Sequence, residues 1–192
     1  MPVSLSKGGN VSLTKMAPSL SSVRVGLGWD QRTTTGQDYD LDASALVCGE
    51  GEKVLSDSHF IFYNNLTSPE GTVRHTGDIK DGAAAGDDEV LEVDLADLTP
   101  QTDRVVFSVT IHDADARGHS FGQVKNAFIR VVDRSNDEEL ARYDLSEDAS
   151  TETAMVFGEL YRNGDEWKFR AIGQGYASGL QGIVSNYGVN LS

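Results

Sequence analysis

With Cys48 as its only cysteine among 192 residues, the chain can form no internal disulfide and no cysteine-rich zinc or iron–sulfur site. A reducing compartment suits that composition. Long apolar runs are missing as well: the opening MPVSLSKGGNVSLTK has no hydrophobic core, and no stretch approaches the roughly 18 apolar residues of a membrane span. The expectation is a cytoplasmic protein with no transmembrane segment, extending at most to the inner face of the membrane. Basic residues are also in short supply. Sixteen lysines and arginines face 30 acids, a formal charge of −14, the reverse of what a phosphate backbone attracts. Nucleic acid is therefore a poor partner and cations are good ones. Against these absences stands a hydrophobic content of 39%, enough for a packed core, and no linker or break in composition divides residues 1–192. One domain is expected.

Helical spacing is scarce and alternation is common. Val23, Val25, Leu27 and Trp29 fall at every second position, as do Tyr39, Leu41, Ala43, Ala45 and Val47; each series reads as a strand with one buried face. The same rhythm returns at 59–63, 91–95, 105–111, 127–132, 141–145, 155–161 and 167–172. Val3-Ser-Leu-Ser-Lys and its echo Val11-Ser-Leu-Thr-Lys flank Gly8-Gly9-Asn10, which reads as a hairpin. Asn163-Gly164 predicts a second hairpin with a type I′ turn. Roughly ten short strands without amphipathic crossover helices predict an all-β fold, an antiparallel β-sandwich, with one short C-terminal helix around 178–187.

The acids are not spread evenly. Asp38, Asp40 and Asp42 alternate with Tyr39, Leu41 and Ala43, which in a strand sets three carboxylates in a row opposite the core. Aspartate is disfavoured in strands and like charges repel, so the segment breaks two local rules, as functional sites do. A hard divalent cation would resolve the conflict, since calcium takes six to eight oxygen ligands. Asp30, closing the preceding strand, adds a fourth carboxylate. Between Asp78 and Asp94 lie seven acids, Asp87, Asp88 and Glu89 among them, and one base, Lys80; Asn64 and Asn65 end an apolar strand with neutral oxygen donors. The competing reading is a solvated acidic surface. An EF-hand is excluded, because its sixth position is Ala43 instead of glycine and its twelfth is Gly49 instead of glutamate. Magnesium, which keeps its waters and demands a tight octahedron, suits so many acids less well.

Other motifs yield less. Gly118-His-Ser-Phe-Gly122 matches a nucleophile elbow, but His119 is the last histidine in the chain, so the hydrolase order of serine, acid, histidine cannot be completed. A convergent triad through His59, His75 or His112 stays open. Gly173-Gln-Gly175 with Gly179 imitates a dinucleotide loop, yet only 13 residues follow, too few for a βαβ unit. There is no Walker A pattern.

Several of these segments together carry a resemblance. Val-Ser-Leu-x-Lys-Gly-Gly-Asn at the start, Gly28-Trp-Asp30, Asp38-Tyr-Asp-Leu-Asp-Ala-Ser44, Phe62-Tyr-Asn-Asn-Leu66, Arg74-His-Thr-Gly-Asp78, Gly86-Asp-Asp-Glu89, Gly122-Gln-Val-Lys-Asn126 and Glu159-Leu-Tyr-Arg162 stand in the order of the TerD family, which the chain resembles over essentially its whole length. That resemblance implies a calcium-binding β-sandwich of bacterial tellurite resistance and general stress response, without an established enzymatic activity. It also implies two neighbouring calcium sites drawing on Asp30, Asp38, Asp40, Asp42, Asn64, Asp78, Asp87, Asp88 and Glu89, and other stress-response proteins as partners. Tellurite itself is an anion, which a chain of −14 repels. Two alternatives remain. One is a metal-dependent hydrolase or nucleotide-acting enzyme built on the same acids, with Arg74 and His75 as its cation and base. The other is a calcium-dependent scaffold for a membrane-associated stress complex.

Overall fold

The computed structural model describes residues 2–29, 41–78, 89–111, 127–145, 152–176 and 178–190. Alternating sequence becomes alternating sides. Val23, Val25 and Leu27 of β3 (Val23–Gly28) face the same core as Leu41, Ala43, Ala45 and Val47 of β4 (Leu41–Cys48). The other strands follow as β1 (Val3–Leu5), β2 (Asn10–Ser12), β5 (Phe60–Ile61), β6 (Val73–Asp78), β7 (Glu89–Val93), β8 (Arg104–Ile111), β9 (Phe128–Asp133), β10 (Glu138–Asp144), β11 (Ala154–Asn163) and β12 (Glu166–Tyr176). Among the described residues they form two six-stranded sheets, ordered β1-β10-β9-β3-β7-β6 and β2-β12-β11-β8-β4-β5. Every pairing is antiparallel except that of β1 with β10. The predicted sandwich with one short C-terminal helix is what the chain forms.

A third layer covers the second sheet. The helix α2 (Gly179–Asn186) buries Ile183 and Val184 against Leu46, Cys48, Phe60, Val106 and Val156, so β4 and β8 are apolar on both faces at that end. Cys48 is fully buried there, and burial pushes its thiol up to about 12. Because thiolate is the reactive form, Cys48 is expected to ignore a disulfide reagent such as DTNB at pH 8 in the native protein and to react in full in denaturant. Fast native labelling would contradict this packing.

Three local expectations need correction. The Gly8-Gly9 segment does not close a hairpin: β1 joins β10 in the first sheet and β2 joins β12 in the second, with Gly8 at φ +85° and its N–H donating to Ala171 O. The chain start thus straddles both sheets, and the hydrogen bonds of β1 and β2 go to strands already in place. The second of the paired segments also leaves the strand early, because Ser12 caps a helical turn, α1 (Leu13–Met16), through Lys15 N–H. In the β11–β12 hairpin the closing pair is Asn163 with Glu166, so the loop is Gly164-Asp165. Only Gly164 has a positive φ, +62°, which is the type II′ pattern instead of I′.

Candidate functional site

Register brings the strand ends together. Leu27 and Asp78 both pair with Glu89, Gly28 pairs with Phe128, Asp144 with Phe128, and Leu41 with Ile111. The ends of β3, β6, β8 and β10 and the starts of β4, β7, β9 and β11 therefore share one end of the sandwich. From that end leave the connections 30–40, 79–88, 112–126 and 146–151, which by sequence contain ten acidic residues and four basic ones. The opposite end carries an open cleft of about 630 Å³ beside Lys53, Leu55, Asp103 and Arg162, with the Arg162 guanidinium stacked over Trp167 and donating to the Thr99 and Thr102 carbonyls. It adds no histidine to the acids.

Asp30, Asp38, Asp40, Asp87 and Asp88 lie outside the described residues, as do His112, His119 and Ser120, and Asp78 is described only as the last backbone position of β6. Asp42 alternates with the core residues Leu41 and Ala43 and so belongs to the outer face of the second sheet, as its spacing predicts. Asn64 is exposed at the corner of the turn 62–65, which continues β5 along β4 toward its Leu41 end. Its neighbour Asn65 is committed to backbone, donating to Ser58 O and Phe60 O.

Glu89 is placed differently from the other acids. It alternates with Leu91 and Val93, core residues of β7, and is only 4% exposed. A carboxylate between two sheets needs donors, and it has them: Ala43 N–H donates to Oε2, and His75 Nε2 lies 3.4 Å from the same oxygen. The Ala43 bond has a local cause. The short strand β5 pairs with β4 only at Ala45 and Leu46, so among the described residues no strand lies on that side of β4 beyond that point, and Glu89 supplies an acceptor from the other sheet. His75 reaches this position from β6 by alternation with Val73, the two in register with the core residues Leu91 and Val93 of β7; the pairing shifts only beyond it, between His75 and Asp78. Among the described residues no three His, Cys, Asp or Glu side chains converge as a metal-holding group.

Of the histidines weighed as bases, His59 and His75 lie among the described residues, and each faces a carboxylate. His75 faces Glu89. His59 joins Ser56 Oγ at 2.7 Å through Nδ1 and Glu70 at 2.8 Å through Nε2. This serine–histidine–acid relay spans one turn, in which His59 N–H also donates to Ser56 O, and it pins residues 56–59 to residue 70. Burial raises the Glu70 carboxyl, but the hydrogen bond with His59 leads the opposing effects that leave it below its ordinary value of 4.5.

The strand β6 shows no alternation in the sequence, although Arg74-His75 stands in a recognisable motif. Its inward positions are Val73 and His75, and a histidine gives no apolar signal. The inward turn of Glu89 was hidden for a similar reason, since it sits in an acid run and charge alone assigns it to solvent or to an ion.

Comparison with known proteins agrees with this architecture. Residues 1–187 match the TerD domain. The chain is 62% identical to "Tellurium resistance protein TerD" of Serratia marcescens and 50% identical to "General stress protein 16U" of Bacillus subtilis, in each case over 192 residues and the full length of both proteins. Two solved structures share the fold. A protein of unknown function aligns with a TM-score of 0.68 at 28% identity, covering 85% of this chain and 94% of the other. A Streptomyces coelicolor homologue of telluride resistance protein aligns with a TM-score of 0.66 at 24% identity, covering 86% and 95%. A sandwich whose acid-rich connections leave from one end, matched along its whole length by proteins of tellurium resistance and general stress, belongs to the TerD family.

Proposed function

We propose that this chain is a non-catalytic calcium-binding protein of the tellurium-resistance and stress-response type, taking about two ions at the acidic end of the sandwich. The observation that carries the reading is the convergence of strand ends there, which gathers the origins of the acid-rich connections around the Glu89–Ala43 tie. The donor set fits the ion: Asp30, Asp38, Asp40, Asp42, Asp78, Asp87, Asp88 and Glu89 offer carboxylates and Asn64 a neutral amide oxygen, all hard donors suited to calcium. Bound there, calcium neutralises the mutual repulsion of the acids. The chain's own residues do the positioning. The strands β4 and β7 carry the residues next to the two acidic segments, and the Glu89 carboxylate ties β7 to β4 at Ala43.

Calcium loading would alter the charge of this end and offer a rim for a protein partner, the route by which such a protein serves stress resistance at a cytoplasmic location. Thiol chemistry with tellurite is disfavoured, since the single thiol is buried in the α2 layer. Asp40→Ala and Asp88→Ala are each expected to raise the calcium Kd by tenfold or more, on the order of a lost charged ligand, without destabilising the calcium-free fold, because each removes one of several repelling carboxylates. Isothermal titration and a melt in chelator check this, and unchanged affinity in both variants would refute the assignment. Turnover lost on changing His75 would instead favour the enzyme reading.

A further inference from the structure

Ser56 stands at the N-cap of the short turn Asp57–His59, yet its side chain does not cap that turn. An N-cap serine ordinarily accepts from a backbone N–H two or three residues on, as Ser12 does from Lys15. The Ser56 hydroxyl instead meets the His59 ring, 2.7 Å from Nδ1, and the other side of the ring meets Glu70, with Nε2 2.8 Å from Oε1 and 3.1 Å from Oε2. A local preference gives way here, as it does at functional sites. Ser56 and His59 lie in the connection from β4 to β5, which leaves from the end of the sandwich opposite to the acid-rich connections.

The acid decides where the proton sits. The Glu70 carboxyl is held below its ordinary value of 4.5, so at pH 7 it can only accept, and Nε2 must carry the hydrogen. In the neutral ring Nδ1 is then a lone pair, and the Ser56 O–H donates to it. A hydroxyl already bonded to its proton acceptor, with an acid orienting that acceptor from behind, is the arrangement that activates a serine. The ring is used in the reverse sense to a serine protease, where Nε2 faces the serine, and either nitrogen can serve as the base. Exposure suits these roles: Ser56 is open to solvent, whereas the His59 side chain is 9% exposed.

We propose that Ser56 is an acylation site, a nucleophile with His59 as its base and Glu70 as a positioning residue, which takes the acyl group of an activated ester. Oγ bonds to the acyl carbon, the bond from that carbon to the leaving oxygen breaks, and the hydroxyl proton passes to Nδ1 and on to the departing oxygen. This is one transfer onto the protein and not a turnover, so it goes beyond the calcium reading without drawing on it.

The test treats the native full-length chain with p-nitrophenyl acetate at pH 7.5 and follows acetylation by peptide mass mapping, with hydroxylamine to separate serine esters from lysine amides. Ser58 is the internal reference, since it is also exposed and both ring nitrogens are already taken. Ser56 is expected to react about a hundredfold faster than Ser58. That ratio should fall to near one in His59→Gln, and by tenfold or more in Glu70→Gln, which keeps an acceptor but loses the charge that fixes the tautomer. A ratio near one in the wild-type chain overturns the proposal, and that measurement needs no variant to fold. So does a wild-type ratio in either folded variant.

Discussion

Stripped of calcium, the protein should melt about 10–20 °C below its calcium-saturated form. An ion that binds only the native state stabilises it by RT ln(1 + [L]/Kd), about 2.7 kcal/mol per site at a hundredfold excess over Kd. A chain of this size shifts by about 2–4 °C per kcal/mol, so two such sites give that range. The direction is reinforced by what calcium removes. Without it, connections that carry ten acids against four bases leave from one end of the sandwich, and unfolding lets those charges separate. Raising sodium chloride in chelator should recover part of the difference by screening, whereas calcium should act at concentrations too low to screen. Equal melting temperatures with calcium and with chelator would mean that the acidic end has no such ligand.

The second large effect lies away from that end. Arg104, on the outer face of the second sheet, donates to Glu159 at 3.0 Å and to Glu52 at 2.8 Å, and the Glu159 side chain is 4% exposed. Arg104→Ala leaves Glu159 buried with only Arg170 beside it, at 3.4 Å. Breaking a buried pair from one side costs about 3–5 kcal/mol, or roughly 10 °C in melting temperature. Glu159→Gln should cost far less. Burial holds the Glu159 carboxyl above its ordinary 4.5 despite the pull of Arg104 and Arg170, so its charge is a net burden on the fold. The sign of the pH dependence follows. A carboxyl raised in the folded state binds its proton more readily there than in the unfolded chain, so its burden is present in full above the folded value and is relieved as pH falls toward 4.5. Losing Arg104 raises that value further, and the penalty of Arg104→Ala should therefore shrink on acidification from pH 7 to pH 5. Urea melts of both variants at the two pH values check this; a penalty that grows in acid would contradict the assignment.

Much of this molecule was legible from its residues, for reasons that also explain what was not. Alternation marks β3, β4, β8, β9, β11 and β12 because their inward positions are nearly all aliphatic or aromatic. The outward placement of Asp42 follows from the same period. What escapes is any residue whose role depends on a partner far along the chain. Val3-Ser-Leu and Asn10-Val-Ser look like two arms of a hairpin, and only the free edges of β10 and β12 decide that they part. His75 and Glu89 read as polar residues of an acidic surface, yet they alternate with the inward residues Val73 and Leu91, and their contacts with each other and with the Ala43 N–H emerge only once the strands and sheets are paired. In sequence the glycines of the 173–179 segment imitate a dinucleotide loop. Gly173 instead lies within β12 at φ +68°, where an added Cβ would meet the Tyr143 hydroxyl.

Whether this end of the sandwich takes calcium decides the function proposed for the chain. The most direct test is a calorimetric calcium titration of chelator-stripped protein at physiological ionic strength. The expected result is about two ions bound per chain with micromolar or tighter affinity, and weakened binding in Asp40→Ala. No saturable heat, or binding indifferent to Asp40→Ala, would contradict the proposed site and leave the acid-rich connections as a charged surface only.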